Sequence, residues 1–290
     1  MSFGLEWWQY VLIALTGGNI FYLGVGGAVH YYYYHMKRAQ ADQWKMQPNK
    51  WLTAKLNRHE IIVGTFNMNM AAGTFGFLAW GIIEHGWGQI YWNFSDYSLG
   101  WAGLSVFLAF FFIEACAYYM HAAGHQPWLY ENIHKMHHYY TAPTFFSISA
   151  MHPLEWIAHA SYIVAPAFLF PMHWSLYLFV MMTTFFYGFW DHSGIKLPFD
   201  LPFHGSNRFH DDHHKYFHVN YGFLTPFFDR IHDTVRREGH HYTEDTYANG
   251  KGTVNPSKLG NKAIGPWVSY NTQQEVDNNL QERLAAGEKV

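Results

Sequence analysis

The chain has 290 residues, of which 50% are hydrophobic, 20% aromatic and only 13% charged, and its formal charge is −3. Soluble domains carry roughly a quarter of charged residues, so this composition points to a compact membrane protein, and it offers no concentrated basic surface for nucleic acid. The lone Cys116 excludes an intrachain disulfide and a multi-cysteine zinc site, which leaves histidine and carboxylate to hold any metal.

The first apolar stretch, about residues 7–34, begins without the basic n-region or small-residue cleavage pattern of a secretory signal, so it is read as a span that stays. Its Gly17, Gly18, Gly24, Gly26 and Gly27 predict close approach of a neighbouring helix. Further apolar stretches cover about 61–83, 99–120 and 154–190. The last is nearly twice the roughly 20 residues that cross a ~30 Å hydrocarbon core. Pro166 and Pro171 near its middle predict a hairpin of two short helices. The expected fold is an all-α integral membrane protein of four to five transmembrane helices, with a cytosolic helical cap holding a histidine-rich dimetal site.

Lysine and arginine set the orientation. Segment 35–60 carries Lys37, Arg38, Lys45, Lys50, Lys55 and Arg58, whereas the loop 84–98 carries neither residue type, so 35–60 is expected to be cytosolic. Threading onward puts every histidine cluster on that side, together with Lys215, Arg230, Arg236 and Arg237. Residues 1–240 are read as the membrane-embedded domain and 241–290 as a polar tail. In that tail "NGKGTVNPSKLGNK" reads as a linker, and 271–290 as either an amphipathic helix on Val276, Leu280 and Leu284 or a frayed end.

Three clusters carry the chemistry: "HAAGH" (His121, His125), "HKMHH" (His134, His137, His138) and "HDDHH" (His210, His213, His214). Helical positions i, i+3 and i+4 share a face, so each cluster is expected to project its imidazoles together. Eight such rings exceed what one zinc ion can use; two metals fit the count. Tyr118 and Glu114 extend the stripe of His121 backwards. A carboxylate inside a membrane helix marks a function or a pair. Glu114 is expected to accept the second N–H of a ligand histidine, the alternative being a carboxyl kept neutral in the core. His192 in "WDHSG" follows the last span and is taken as a ninth ligand. For His152, His204 and His218, support of a ligand or contact with substrate fits as well as ligation. His30, His35, His59, His85, His159, His173, His232, His240 and His241 show no cluster spacing, and most are read as interfacial or surface residues.

Imidazole binds zinc, copper, nickel and iron alike, so ligand type does not decide the metal. Abundant aromatics and a site opening at the membrane point to a lipid substrate. Zinc hydrolysis needs an ester or amide, whereas unactivated C–H bonds call for oxygen activation by a redox metal, and two irons can share the electrons required.

The order HxxxH, HxxHH, "HSG" and a final HxxHH followed by "HVNYG" resembles the fatty acid hydroxylase superfamily of membrane di-iron enzymes, over roughly residues 35–240. "WKMQPNKW", "NRHEI", "PTFFSISAMHPLEW" and "HDDHHKYFHVNYGFLTPFFDR" are most similar to its sterol desaturase branch, and "YTAP" with "HPLE" also resembles the C4-methylsterol oxidases. The resemblance implies two iron ions, O2 as co-substrate, and electrons from a separate donor such as cytochrome b5 or ferredoxin with a reductase. It implies metal ligation by His121, His125, His134, His137, His138, His192, His210, His213 and His214. The expected membrane is the endoplasmic reticulum in a eukaryote, although "GEKV" lacks the dilysine retrieval pattern, or the cytoplasmic membrane in a bacterium.

Two further functions compete with sterol oxidation. Hydroxylation of a fatty acyl chain or sphingolipid would call for a narrow channel beside His192, where a sterol would call for a broad slot. A non-catalytic metal carrier would place ionisable residues along a path through its spans, whereas these clusters gather at one face. Motifs do not distinguish hydroxylation from desaturation.

Overall fold

The computed structural model describes residues 2–196, 207–237, 240–244 and 253–254. Among them, three helices are long and apolar enough to cross a membrane: α1 (Trp7–Met36), α2 (Ala54–His85) and α3 (Leu99–Gly124). Helix α2 starts where the Thr53 hydroxyl accepts the Leu56 N–H and ends at Gly86, whose φ of 67° is the left-handed conformation that closes a helix at low cost. Helix α3 starts on Ser98, which accepts the Trp101 N–H, and runs directly into "HAAGH".

The stretch 154–190 does fold as a hairpin, made of α4 (Pro153–Val164) and α5 (Trp174–Asp191) around a single turn at Pro166–Leu169. Its arms of 12 and 18 residues measure about 18 and 27 Å, so neither matches α1 to α3 in reach. Helix α6 (Asn207–Tyr216) carries the last histidine cluster, and α7 (Phe227–His232) closes the same end. Away from the histidines, Ile90–Tyr91 pairs in parallel with Met172–His173 and ties the α2–α3 connection to the hairpin's turn. Towards the C-terminal end, His240–His241 pairs with Thr253–Val254; the expected tail helix, 271–290, and His204 lie outside the described residues.

Helices α1 and α2 act as the frame for the segment 141–151, which links the second cluster to α4. Two π-helical stretches of α1, Ile20–Val25 and Tyr31–Met36, each turn one tyrosine inward. The Tyr22 hydroxyl donates to Phe146 O at 3.1 Å and accepts from Ser149 Oγ at 2.9 Å. The Tyr34 hydroxyl lies 3.0 Å from Pro143 O and 2.8 Å from Ser193 O. From α2, the fully buried Glu60 accepts from Thr144 Oγ1 at 2.8 Å and Ser147 Oγ at 2.6 Å. Asn67 Nδ2 donates to Ser149 O at 2.7 Å and Met151 O at 2.9 Å. Polar residues inside an apolar helix are thus explained by a loop that cannot satisfy its own backbone.

The glycine expectation is corrected in position. Gly17, Gly24 and Gly27 have open space around them, and only Gly18, against Ala72, and Gly26, under Phe145, sit at contacts. The close approach depends instead on α2, where a Cβ on Gly64 would lie 1.8 Å from the Tyr22 hydroxyl and one on Gly76 would lie 2.7 Å from Tyr10 O. Ile13, Ile20, Phe66, Phe107 and Phe179 point outward and are more than half exposed, an apolar belt suited to lipid.

Glu60→Ala leaves two buried hydroxyls without their acceptor, at a cost of about 2–4 kcal/mol. Thermal unfolding in detergent should show a clearly lowered midpoint; a wild-type midpoint would contradict this role for Glu60.

Candidate metal centre

Nine histidines converge where α3, the hairpin and α6 meet, and none is more than 9% exposed. They form two groups, His121, His125, His134, His138 and His213 in one and His137, His192, His210 and His214 in the other, with the ligand atoms of each group within 4.8 Å of one another. The sequence clusters do not map onto the groups one to one. "HDDHH" is helical as expected, and sends His210 and His214 to one group and His213 to the other. "HKMHH" is a 3₁₀ turn, His134–Tyr139, not an α-helix. At three residues per turn, positions i and i+4 no longer stack, so a shared α-helical face is not what assembles it. Its rings divide between both groups.

Backbone carbonyls fix the imidazole tautomers. A carbonyl only accepts, so the ring nitrogen facing it carries the proton. His121 Nδ1 donates to Tyr221 O at 2.8 Å, His213 Nδ1 to Val219 O at 2.6 Å and His192 Nδ1 to Gly188 O at 2.9 Å. His125 is set through a relay: His218 Nε2 donates to Glu244 O at 2.6 Å, so His218 Nδ1 accepts from His125 Nδ1 at 3.0 Å. In each case the Nε2 of the clustered ring keeps a bare lone pair, and these atoms face one another. His121 Nε2 is 2.9 Å from His213 Nε2; in the other group His192 Nε2 is 2.8 Å from the Nε2 of His210, a ring whose Nδ1 meets no carbonyl. His138 Nε2 stands 3.0 Å from His134 Nε2 and 3.3 Å from His125 Nε2, a pattern one ring proton cannot satisfy. A cation about 2.1 Å from each nitrogen leaves neighbouring nitrogens about 3 Å apart, so the donor set fits two metal ions.

Burial, reinforced by neighbouring imidazoles, holds His125, His137, His138, His210, His213 and His214 well below the ordinary imidazole range. Burial also pushes His192 down to about 3. These rings are neutral near pH 7, as metal ligands must be.

Two carboxylates that the spacing argument passed over stand behind the ligands. Glu155 accepts a short hydrogen bond from His134 Nδ1, and Asp191 Oδ2 lies 3.5 Å from His210 Nδ1. Both lie inside the motifs "HPLE" and "WDHSG", but no sequence spacing ties either one to the histidine it meets. Glu114 does not do what was expected of it. It accepts the Leu224 N–H at 2.7 Å, the Thr225 N–H at 3.1 Å and Thr225 Oγ1 at 3.1 Å, so it anchors a loop and touches no clustered histidine. That loop, 218–225, supplies the Val219 and Tyr221 carbonyls, and Asp229 holds it too by accepting the Tyr221 N–H at 2.7 Å and the Gly222 N–H at 2.6 Å.

Of the single histidines, His192 joins the smaller group and His218 supports His125, while His152 caps α4 by accepting the Leu154 N–H. Three histidines read as unremarkable are not at the surface. His30 and His173 are buried among aromatic rings, and His159 borders a cavity beside the centre. His159 Nδ1 pairs with the Tyr162 hydroxyl at 2.5 Å, and its Nε2 lies 3.7 Å from Glu155. The cavity, about 90 Å³, is bordered by His121 and His134 of one group and His137, His192 and His210 of the other. Ile148, Phe185, Phe189 and Phe223 give it an apolar side, and Glu155, His159, Tyr162 and Thr184 add polar groups to the wall.

Residues 106–234, which contain all nine histidines, match the fatty acid hydroxylase family. Lathosterol oxidase of Mus musculus is 30% identical over 210 residues, 71% of this chain and 64% of that protein. Delta(7)-sterol 5(6)-desaturase of Leptosphaeria maculans is 32% identical over 130 residues, 43% of this chain and 35% of that protein. Methylsterol monooxygenase 1 of Danio rerio is 32% identical over 134 residues, 43% of this chain and 45% of that protein. The chain therefore spans less than two thirds of each of these relatives. No solved structure matches it.

Glu155→Gln removes the anion behind His134 and should weaken metal retention about 10–100-fold in a chelator competition; unchanged retention would contradict the role. The depressed histidines favour the neutral folded state, so metal-free protein is at full strength above pH 6.5 and loses stability as pH falls from 6.5 towards about 3. Urea midpoints measured across that window check this, and a flat profile would refute it.

Proposed function

Because residues 106–234 carry a fatty acid hydroxylase domain, we propose that the protein is a membrane-bound, O2-dependent lipid oxidoreductase acting on a sterol, with two iron ions held by the nine clustered histidines. The observation that carries this reading is the pair of buried, neutral, all-imidazole groups at the end of an apolar cavity. The names of the relatives, a lathosterol oxidase, a sterol desaturase and a methylsterol monooxygenase, support a sterol substrate.

His121, His125, His134, His138 and His213 would hold one ion, and His137, His192, His210 and His214 the other. Bound iron supplies redox chemistry for reducing O2 and oxidising an unactivated C–H bond. The chain's own contribution is orientation and exclusion. Carbonyls of Val219, Tyr221 and Gly188 keep the Nδ1 protons of His213, His121 and His192 in place, which aims each Nε2 inward. Glu155 does the same for His134. Phe185, Phe189 and Phe223 keep the cavity dry beside the ligands, so a reactive oxidant meets hydrocarbon before water. His159 Nδ1 and the Tyr162 hydroxyl, 2.5 Å apart, form a hydrogen-bonded polar pair on the same wall.

The centre is assigned to the cytosolic side, from the basic residues of 35–60, with electrons drawn from a separate cytochrome b5- or ferredoxin-type donor. A second reading, hydroxylation of a fatty acyl chain, is favoured by one observation: the cavity is small, about 90 Å³.

Protein reconstituted in lipid discs with iron, a reduced donor and air should convert a Δ7-sterol to an oxidised product. Conversion should cease without O2. His137→Ala and His213→Ala should each lower turnover by more than about 100-fold, as loss of a unit's ligand does, while inserting into membrane like wild type. Unchanged turnover by both variants, or by metal-free protein, would refute the assignment; conversion of acyl lipid alone would select the second reading.

A further inference from the structure

The histidine cavity is too small for a whole lipid. Its volume of about 90 Å³ is well below the roughly 300–1,000 Å³ of sites that enclose a complete small molecule, so most of any lipid that reacts there lies elsewhere. A second, larger cavity of about 290 Å³ opens on the outer side of α4, between it and α2. Ala71, Phe75 and Leu78 line it from α2, and Ala160, Val164 and Phe168 from the hairpin. Ile157, also on this wall, is half exposed, so the groove is open to the surrounding hydrocarbon.

Helix α4 is the partition between the two spaces. Glu155, His159 and Tyr162, spaced to share one helical face, border the histidine cavity, whereas Ile157, Ala160, Ser161 and Val164 border the groove. Trp156 borders both. Its indole N–H donates to Asn67 O at 2.7 Å, which fixes the ring on the boundary between α4 and α2.

The chemistry of the groove names its occupant. Among the described residues, no ionisable side chain lines it. Its two hydroxyls are committed to their own helices, Thr74 Oγ1 to Met70 O at 3.0 Å and Ser161 Oγ to Ala158 O at 2.7 Å. Such a wall offers nothing to a polar head and suits a hydrocarbon tail. We propose that the groove between α2 and α4 binds the hydrocarbon portion of the lipid substrate, and that the end to be oxidised reaches the histidine centre past Trp156. This rests on the lipid-oxidase reading above for the identity of the molecule, not for the groove.

The test uses full-length protein in lipid discs and a 3β-hydroxysterol carrying a photoreactive diazirine at the tip of its side chain. Irradiation and peptide mass spectrometry should place the label on 70–78 or 157–168. Label on α3 or α5 instead would overturn the proposal. Ala160→Phe narrows the groove without bordering the histidine cavity. It should suppress that label and raise KM for the intact sterol, relative to the same sterol lacking its side chain, by about ten-fold, the effect of excluding roughly two methylenes. An equal effect on both sterols would count against the groove. Groove labelling in a wild-type protein that oxidises neither sterol would support the groove and defeat the oxidase reading instead.

Discussion

The structure turns on lone pairs that face each other. His121 and His213 each spend their one ring proton on a backbone carbonyl, and so present two bare Nε2 atoms to one another at 2.9 Å. Two unprotonated nitrogens at that distance repel unless a positive charge stands between them. A proton could serve a single pair, but burial makes imidazolium costly. His138, with bare-nitrogen neighbours on two sides, needs a centre shared by more than two rings. A metal cation would meet that need, and the rings are already held in orientation through their opposite nitrogens.

Much of the remaining architecture serves that orientation. Loop 218–225 supplies two of the orienting carbonyls, and it is gripped from α3 by Glu114 and from α7 by Asp229. Gly222 fits there because a Cβ would lie 2.3 Å from Thr225 O and 2.5 Å from Asp229 Oδ2. Asp212, within "HDDHH", accepts from Arg236 Nε at 2.9 Å, which fastens α6 to the chain that follows. On the opposite flank Glu60, Asn67 and Tyr22 fix the segment that leads from the second cluster to α4. Buried polar groups in apolar helices thus hold the loops that position the clustered histidines.

The clusters were legible because imidazole is costly to bury in numbers, and eight rings at i, i+3 and i+4 beside apolar spans make sense chiefly as a metal-binding set. The grouping was not, since it depends on a 3₁₀ turn at His134–Tyr139 that α-helical spacing cannot anticipate. His192 was legible from its place at the end of an apolar stretch. Glu155 and Asp191 were not, because each lies distant in sequence from the histidine it meets or next to one it does not. Glu114 was correctly singled out as a buried carboxylate needing partners, but the partners are backbone N–H groups contributed by residues 224 and 225, which no helical periodicity reports. The hairpin was visible in Pro166 and Pro171, whereas the unequal length of its arms was not.

The measurement that bears most directly on the paired metal centre is metal content together with X-ray absorption on protein purified from iron-replete cells. Two iron ions per chain, each with a first shell dominated by nitrogen at about 2.1 Å, are expected. Stoichiometric zinc, a single ion per chain, or a shell dominated by oxygen or sulfur would contradict it.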